Sequence, residues 1–324
     1  MTQRAQHSAD GVSAARGLDI MGATPQRVQP TRCVSMRAHR AVGRRRRAGR
    51  GETIMTNYLV LATLACYAAS LACYVRYLYA PTRAVGHAAT FALAGGLILH
   101  YFALLARSRV IHGVPYDDLA GSLSLFAWLL AATYLGLELV HRQKTVGAFV
   151  LPVVLVLFIF AHGFATPGTA APPARGPMFA LHVTLNILAY AAFALSFVAS
   201  VIYLIQNRML RGRRMGPVGW RFPALDALER LSRSSVRVGL AAMAIGVATG
   251  FVWAHRLLGR YWDDDWKVGV TLLIFAAYAA YLVLARTGTW RGARASALCV
   301  ANFVFVIFSY SIVNLYLSRF HRYL

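Results

Sequence analysis

Hydrophobic residues along this chain come in long runs that short polar segments separate. A helix needs roughly 20 apolar residues to cross the hydrocarbon core of a membrane, and eight runs approach or exceed that length. Every backbone amide in lipid must be paired within its own segment, which favours helices over an open sheet. The pattern predicts an all-α fold, a polytopic membrane bundle of about eight transmembrane helices, at residues 57–79, 86–106, 119–138, 146–162, 179–206, 236–258, 268–285 and 296–317.

Composition supports this prediction, because hydrophobic residues make up 58 % of the chain and charged residues only 14 %. The net charge of +23 is unevenly spread, since eleven of the 34 lysines and arginines lie in residues 1–56. That stretch has no folded motif and no interleaved aromatic residues. A disordered, solvated leader therefore explains it better than nucleic-acid binding, and we expect no nucleic-acid partner.

The distribution of basic residues also predicts an orientation, because lysine and arginine favour the cytoplasmic side of a membrane. With the first span starting outside, the inner loops carry fifteen of these residues, and the outer loops with the C-terminus carry eight. Eleven more basic residues in a tail on the outer side would contradict the preference of lysine and arginine for the cytoplasmic side. We therefore expect residues 1–54 to be a disordered extension or an over-extended gene start before Met55, and residues 55–324 to form the membrane domain.

Two polar segments interrupt the apolar pattern. Residues 219–235 carry leucines at helical spacing, which predicts an amphipathic helix on the inner leaflet. Residues 253–267, WAHRLLGRYWDDDWK, place three tryptophans, a histidine and three aspartates between two spans on the predicted outer side. Such an aromatic surface could stack against a flat ligand. Tryptophan and tyrosine also concentrate at membrane interfaces as simple anchors, and this alternative stays open.

Six of the ten histidines gather at or near the predicted outer face. Neutral imidazole is a good axial ligand of haem iron, and two such ligands from separate helices would hold a macrocycle between them. Solvated interfacial side chains are a simpler interpretation, and a zinc site is another, although no pair has the helical spacing of zinc ligands. The six are His100, His112, His162, His182, His255 and His321.

Several motifs occur in an order typical of one family. His182 opens a span with a long apolar run, residues 253–267 hold the position of a tryptophan-rich motif, and the chain ends in NLYLSRFHRYL. Trp290-Arg291-Gly292 matches an inner-loop motif, and Gly121–Trp128 is similar to the span after the first outer loop. In these features the chain resembles the cytochrome c assembly family, haem-handling membrane proteins of the CcsA, ResC and CcmC type. The resemblance covers most of residues 55–324.

The resemblance implies a transient, non-covalent site for haem b at the outer face. His182 and His321 match the two external histidines that the family uses as axial ligands of the haem iron. The other matched or candidate positions lie in the tryptophan-rich segment and in the second span. They are Trp253, Trp262, Asp265, Trp266, Lys267 and, as a candidate inner ligand, His100.

The chain also departs from the family pattern. Positions where the family has a second tryptophan, a proline, a glutamate and an inner histidine are here Asp264, Trp266, Val268 and Val283. The aspartates would repel haem propionates unless nearby basic residues compensate, for which the candidates are Arg256, Arg260 and Lys267. These departures resemble the shorter HemX-like branch of the superfamily.

The resemblance implies a protein of the bacterial inner membrane that binds haem and presents it at the extracytoplasmic face to apocytochrome c. A second cytochrome c biogenesis membrane protein is the expected partner. We expect a carrier rather than an enzyme, because no nucleophile is arranged with a base and an orienting acid. The alternative is a HemX-like regulatory or assembly protein without stable haem binding. A small-molecule transporter fits less well, since no span shows the paired broken helices of a mid-membrane site.

Overall fold

The computed structural model divides the chain into two compact units, residues 1–50 and 51–324. Residues 1–31 lie outside the described part, and residues 32–54 have helical backbone whose side chains are not described. The prediction that residues 1–54 are an extension or a gene-start error stays a prediction. The description covers the backbone of residues 32–111, 113–116, 118–165, 176–213, 221–259, 266–286 and 290–312, and the side chains from Met55 onward except Leu258, Trp266, Lys267 and residues 310–312.

The described residues form eight α-helices and one 3₁₀ turn, Lys144–Val146, with no strand among them, so the predicted all-α membrane bundle is confirmed. Six of the helices are long and apolar enough to cross a membrane. The last two contain shorter apolar stretches, Val268–Leu284 and Ala293–Ser309. The helices are α1 (Arg32–Tyr79), α2 (Arg83–Ile111), α3 (Leu119–His141), α4 (Gly147–Gly163), α5 (Gly176–Arg211), α6 (Leu225–Leu258), α7 (Trp266–Leu284) and α8 (Ala293–Ile312).

Helices α5 and α6 form the most extensive pair and run antiparallel. Near one end the His182 ring contacts the Gly246 carbonyl, and near the other Ser200 contacts Ser232. We call the first the histidine end, because α4, α5 and α6 place His162, His182 and His255 there. The opposite end is the arginine end, where α5 finishes at Arg211 and where Arg142 and Arg286 follow the ends of α3 and α7.

Helix α5 belongs to two apolar cores at once. The first core lies among α1 to α5 and the beginning of α6, and it includes Tyr67, Tyr134 and Leu195. The second lies among α5 to α8, where Phe193 stacks on Tyr278 with ring centroids 3.7 Å apart. Burial on both sides fixes the rotation of α5, and with it the direction in which the side chains at its histidine end point.

The amphipathic segment differs from its prediction. Residues 219–235 were expected to lie on the inner leaflet, yet from Leu225 onward the chain is the first part of the continuous helix α6. Leu228 and Leu231 are 0 % and 1 % exposed and pack in the first core. A helical apolar stripe fits a protein core as well as a membrane surface, so periodicity alone could not separate the two.

A buried ion pair joins three helices towards the arginine end. Glu138 on α3 lies 3.0 Å from Lys144, and its side chain is only 1 % exposed. Its carboxylate also accepts hydrogen bonds from Thr90 at 2.6 Å and from Tyr74. Lys144 donates in addition to the Gly86 carbonyl at 3.1 Å. This cluster links α1, α2 and α3, and removal of either charged partner would leave the other charge uncompensated.

A second buried polar cluster joins α5 to α8. Ser232 lies at its centre, 2.8 Å from Ser196, 3.1 Å from Ser200 and 3.1 Å from the Tyr281 hydroxyl. Ser196 also lies 2.8 Å from the Cys299 thiol. Hydroxyl groups can satisfy one another in this way inside an apolar bundle, where an unpaired polar group would be costly.

Candidate functional site

The candidate site lies at the histidine end, where His182 faces α6 from the second turn of α5. Its Nδ1 is 2.6 Å from the carbonyl oxygen of Gly246. A carbonyl oxygen can only accept, so Nδ1 carries the proton and donates this hydrogen bond. In the neutral ring the lone pair is then on Nε2, the nitrogen that a metal ion would bind. Metal-ligating histidines are held by this kind of hydrogen bond from the other ring nitrogen.

Two glycines of α6 make room for this arrangement. A Cβ atom at Gly250 would lie 2.5 Å from His182 Cε1, and one at Gly246 would lie 2.9 Å from the Asn186 side-chain nitrogen. Real side-chain contacts are never that close, so only glycine lets α6 approach the ring. Asn186, one turn after His182, donates to the His182 carbonyl at 2.8 Å. None of these three residues was predicted to belong to a site, although the Gly-x-x-x-Gly spacing of Gly246 and Gly250 is a general sign of close helix packing.

Phe179 connects the histidine to the tryptophan near the end of α6. Its ring centroid is 6.0 Å from that of His182, 4.6 Å from that of Trp253 and 5.7 Å from that of Tyr116. Phe179 itself is 2 % exposed. The predicted site residues His182 and Trp253 are therefore brought together through a buried aromatic ring that sequence reasoning did not identify.

Helix α6 ends within the tryptophan-rich segment, residues 253–267. The last residue of helix α6 is Leu258, and Gly259 caps it with a positive φ of 70° and a backbone N–H that donates a hydrogen bond to the His255 carbonyl. Arg256, a candidate partner for propionates, is exposed on the last turn. Trp266 and Lys267 start the backbone of α7, but their side chains are not described. The remaining predicted site residues lie outside the described residues, so their roles stay predictions; they are His112, Arg260, Trp262, Asp265 and His321.

His100 sits in a closed environment. It is 0 % exposed, with Nδ1 3.1 Å from the Tyr67 hydroxyl and Nε2 2.9 Å from the Ser124 hydroxyl. Both ring nitrogens are therefore engaged between α1 and α3. As an iron ligand His100 would have to break one of these hydrogen bonds and leave its cavity, so the structure favours a packing role for this residue.

The ring of His162 is hydrogen-bonded in the same way as the ring of His182, unlike the ring of His100. Its Nδ1 is 2.9 Å from the Phe158 carbonyl one turn earlier, which leaves Nε2 as the lone-pair nitrogen, and the side chain is exposed. Its ring lies 6.2 Å from that of His100. The histidine end therefore offers a second imidazole of the same tautomer, on α4.

An apolar hollow of about 390 Å³ lies on the same two helices as His182. It is lined by Met178 from the first turn of α5, and by Ala244, Ile245, Ala248, Thr249 and Val252 from α6. Met178 precedes His182 by one helical turn. The histidine end thus combines an imidazole with a free Nε2, an aromatic pair and an adjacent apolar surface, which are the features that a flat apolar ligand with a metal centre requires.

The sequence of this chain is similar to proteins named CcsA and to a protein named HemX. "Cytochrome c biogenesis protein CcsA" of Gloeobacter violaceus is 26 % identical over 263 residues, which cover 64 % of this chain and 78 % of that protein. The CcsA protein of Synechococcus sp. strain CC9902 is 30 % identical over 236 residues, covering 64 % and 77 %. "Protein HemX" of Brevibacillus brevis is 28 % identical over 229 residues, covering 68 % and 82 %.

Among solved structures, "Cytochrome c Heme Lyase CcmF" superposes with a TM-score of 0.55 at 17 % sequence identity. The match covers 83 % of this chain but 47 % of CcmF, so this chain spans about half the length of that structure. At this identity the likeness concerns the fold.

A family model described as "Cytochrome C assembly protein" matches residues 116–321. The match includes α3 to α8, and thereby the helix pair that holds His182. The resemblance inferred from the motifs is confirmed: this chain belongs to the cytochrome c assembly protein family.

Proposed function

We propose that this protein binds haem b transiently at the extracytoplasmic end of its membrane bundle and presents it for attachment to apocytochrome c. The observation that carries the proposal is the hydrogen bond from His182 Nδ1 to the Gly246 carbonyl. It fixes the ring orientation and leaves Nε2 for the iron. An imidazole that only anchors a helix at an interface would need no such partner and no glycine facing it.

Haem is the cargo in this proposal, and its iron takes two axial ligands. His182 is the first, and His321 is the proposed second. Trp253 and Trp262 are proposed to support the ring, with Trp266 extending this aromatic surface. Arg256 and Lys267 are proposed to meet the propionates and to offset the charge of Asp265 and its neighbours. His100, enclosed between α1 and α3, supports α2 beneath the site.

The names of the relatives support the biological setting. CcsA proteins are named for cytochrome c biogenesis, and they match this chain over roughly three quarters of their own length. We infer that the protein works in the bacterial inner membrane with a second cytochrome c biogenesis membrane protein. It would act as a carrier of haem.

A second candidate function is a HemX-like regulatory or assembly role without stable haem binding. Its support is the match to HemX, which covers 82 % of that protein. The departures from the tryptophan-rich pattern point the same way. In this case the segment after α6 would contact a partner protein, and the His182 arrangement would serve only to pack α5 against α6.

Absorption spectra distinguish the two candidates. The protein is expressed with ample haem, purified in mild detergent and compared with His182→Ala, His321→Ala and a control, His87→Ala, which alters an exposed histidine at the arginine end. We expect a Soret band in the wild type and the control, and its loss in the other two variants. A colourless wild type would support the HemX-like candidate and reject haem carriage.

The orientation needs its own test. Single cysteines are introduced at Arg256 and Arg286 in a background without native cysteines and treated with a membrane-impermeant maleimide in intact cells. The proposal expects labelling at position 256 and none at 286. The reverse pattern would place the site on the cytoplasmic side and contradict presentation to an extracytoplasmic apocytochrome.

A further inference from the structure

An apolar groove of about 220 Å³ runs between α4 and α5 towards the arginine end, far along α5 from His182. Its lining is almost wholly apolar, and Ile205 on its wall is 50 % exposed. At one side Phe149 packs on Phe222, with ring centroids 5.5 Å apart. The lining residues are Phe149, Phe197, Val198, Val201, Ile202, Ile205 and Phe222.

Two arginines are close in sequence to residues that line this groove. Val201, Ile205 and Arg208 follow one another at spacings of four and three residues, so Arg208 continues the lining stripe towards the end of α5. Arg208 is exposed. Arg221 directly precedes Phe222, another lining residue.

The charges of these arginines are available for a ligand. The Arg221 guanidinium lies 4.4 Å from the centre of the Tyr79 ring, a contact that orients it without neutralising it. Arg230 and Arg233, by contrast, pair with carboxylates one turn earlier on α6. Within the part of the chain that the structure describes, neither Arg208 nor Arg221 forms an ion pair.

We propose that this groove binds an anionic phospholipid, with an acyl chain against the apolar lining and the phosphate between Arg208 and Arg221. Arginine matches phosphate oxygens with paired hydrogen bonds, and basic pockets between transmembrane helices hold anionic head groups. An apolar partner helix would cover the lining but would leave both guanidinium charges without a counter-charge. A free phosphate would gain nothing from the apolar lining. A phospholipid would contact both the apolar lining and the two arginines.

Native mass spectrometry of the full chain in mild detergent tests this proposal. The probes are phosphatidylglycerol, phosphatidylcholine with the same acyl chains, and inorganic phosphate. We expect phosphatidylglycerol to bind about tenfold more tightly than phosphatidylcholine, since each basic residue near a head group favours the anion several-fold. Arg208→Gln with Arg221→Gln should remove this preference. Ile205→Trp, which fills the groove from its exposed side, should weaken the binding of both lipids.

Arg286→Gln is the matched control, because it removes an exposed charge at the same end away from the groove. It should keep the preference for phosphatidylglycerol. Circular dichroism of each variant verifies that the helices are intact. Equal binding of the two lipids, saturation by inorganic phosphate alone, or an unchanged preference in the double arginine variant would each overturn the proposal. Haem binding at the histidine end is independent of all these outcomes.

Discussion

Gly250 on α6 lies directly against the imidazole of His182 on α5. A methyl group at this position would come within 2.5 Å of His182 Cε1, closer than any real contact between side chains. The same ring is held by the Gly246 carbonyl at 2.6 Å. The two helices therefore define the ring position from both sides, and a substitution on α6 must act on a residue of α5.

Gly250→Ala should weaken haem binding although it does not touch the proposed iron. The new methyl group displaces the ring and disturbs the hydrogen bond that leaves Nε2 for the iron. We expect a loss of about tenfold in affinity or more, equivalent to about 1.4 kcal/mol, measured by haem titration of the purified protein. Gly136→Ala is the control, because a Cβ there has no neighbour within 4 Å. Equal titration curves for wild type and Gly250→Ala would contradict the proposed site.

Removal of the Glu138 carboxylate should destabilise the bundle more than any surface change. Glu138→Ala leaves the partly buried Lys144 without its charge partner and also frees the Tyr74 and Thr90 hydroxyls. Breaking a buried pair in this way costs about 3–5 kcal/mol. Thermal unfolding in detergent measures the effect. Asp226→Asn, which breaks a pair whose carboxylate side chain is 73 % exposed, should change stability little.

His100→Leu should lower stability without removing the haem spectrum. The variant leaves the Tyr67 and Ser124 hydroxyls without their buried partner, at a cost of about 1–3 kcal/mol for an unsatisfied group. Because both nitrogens of His100 are already engaged, we expect the Soret maximum to stay where it is in the wild type. A shifted or lost Soret band in folded His100→Leu protein would make His100 an iron ligand after all.

Removal of the side-chain hydroxyl should affect the stability of the protein differently at two tyrosines of α7. Tyr281 contacts Ser232 at 3.1 Å, so Tyr281→Phe should cost about 1 kcal/mol. The buried Tyr278 hydroxyl has no hydrogen-bond partner among the described residues. Tyr278→Phe keeps the stack on Phe193 and removes an unsatisfied group, so stability should be unchanged or higher. Thermal midpoints of the two variants, measured side by side, check the contrast; a large loss in Tyr278→Phe would show that this hydroxyl has a partner.

Much of the fold could be predicted because membrane-spanning helices have a strong local signal. Long apolar runs identify the spans, and short polar connections imply antiparallel neighbours. The start of α6 was the exception: Leu228 and Leu231 have the spacing of a membrane-surface helix, yet they are buried in the first core. Which surface covers an apolar stripe depends on residues distant in the chain, and periodicity contains no information about them.

The candidate site, like the fold, could be predicted from the sequence only in part. His182, Trp253 and their family could be inferred from residue type, order and spacing, since those are properties of the chain itself. The tertiary structure alone decided which imidazole nitrogen is free, because that depends on a carbonyl 64 positions later on another helix. It also decided that His100 is enclosed and that Gly250 faces His182. Local chemistry determines what a side chain can do, whereas helix packing determines which of its atoms remain available to do it.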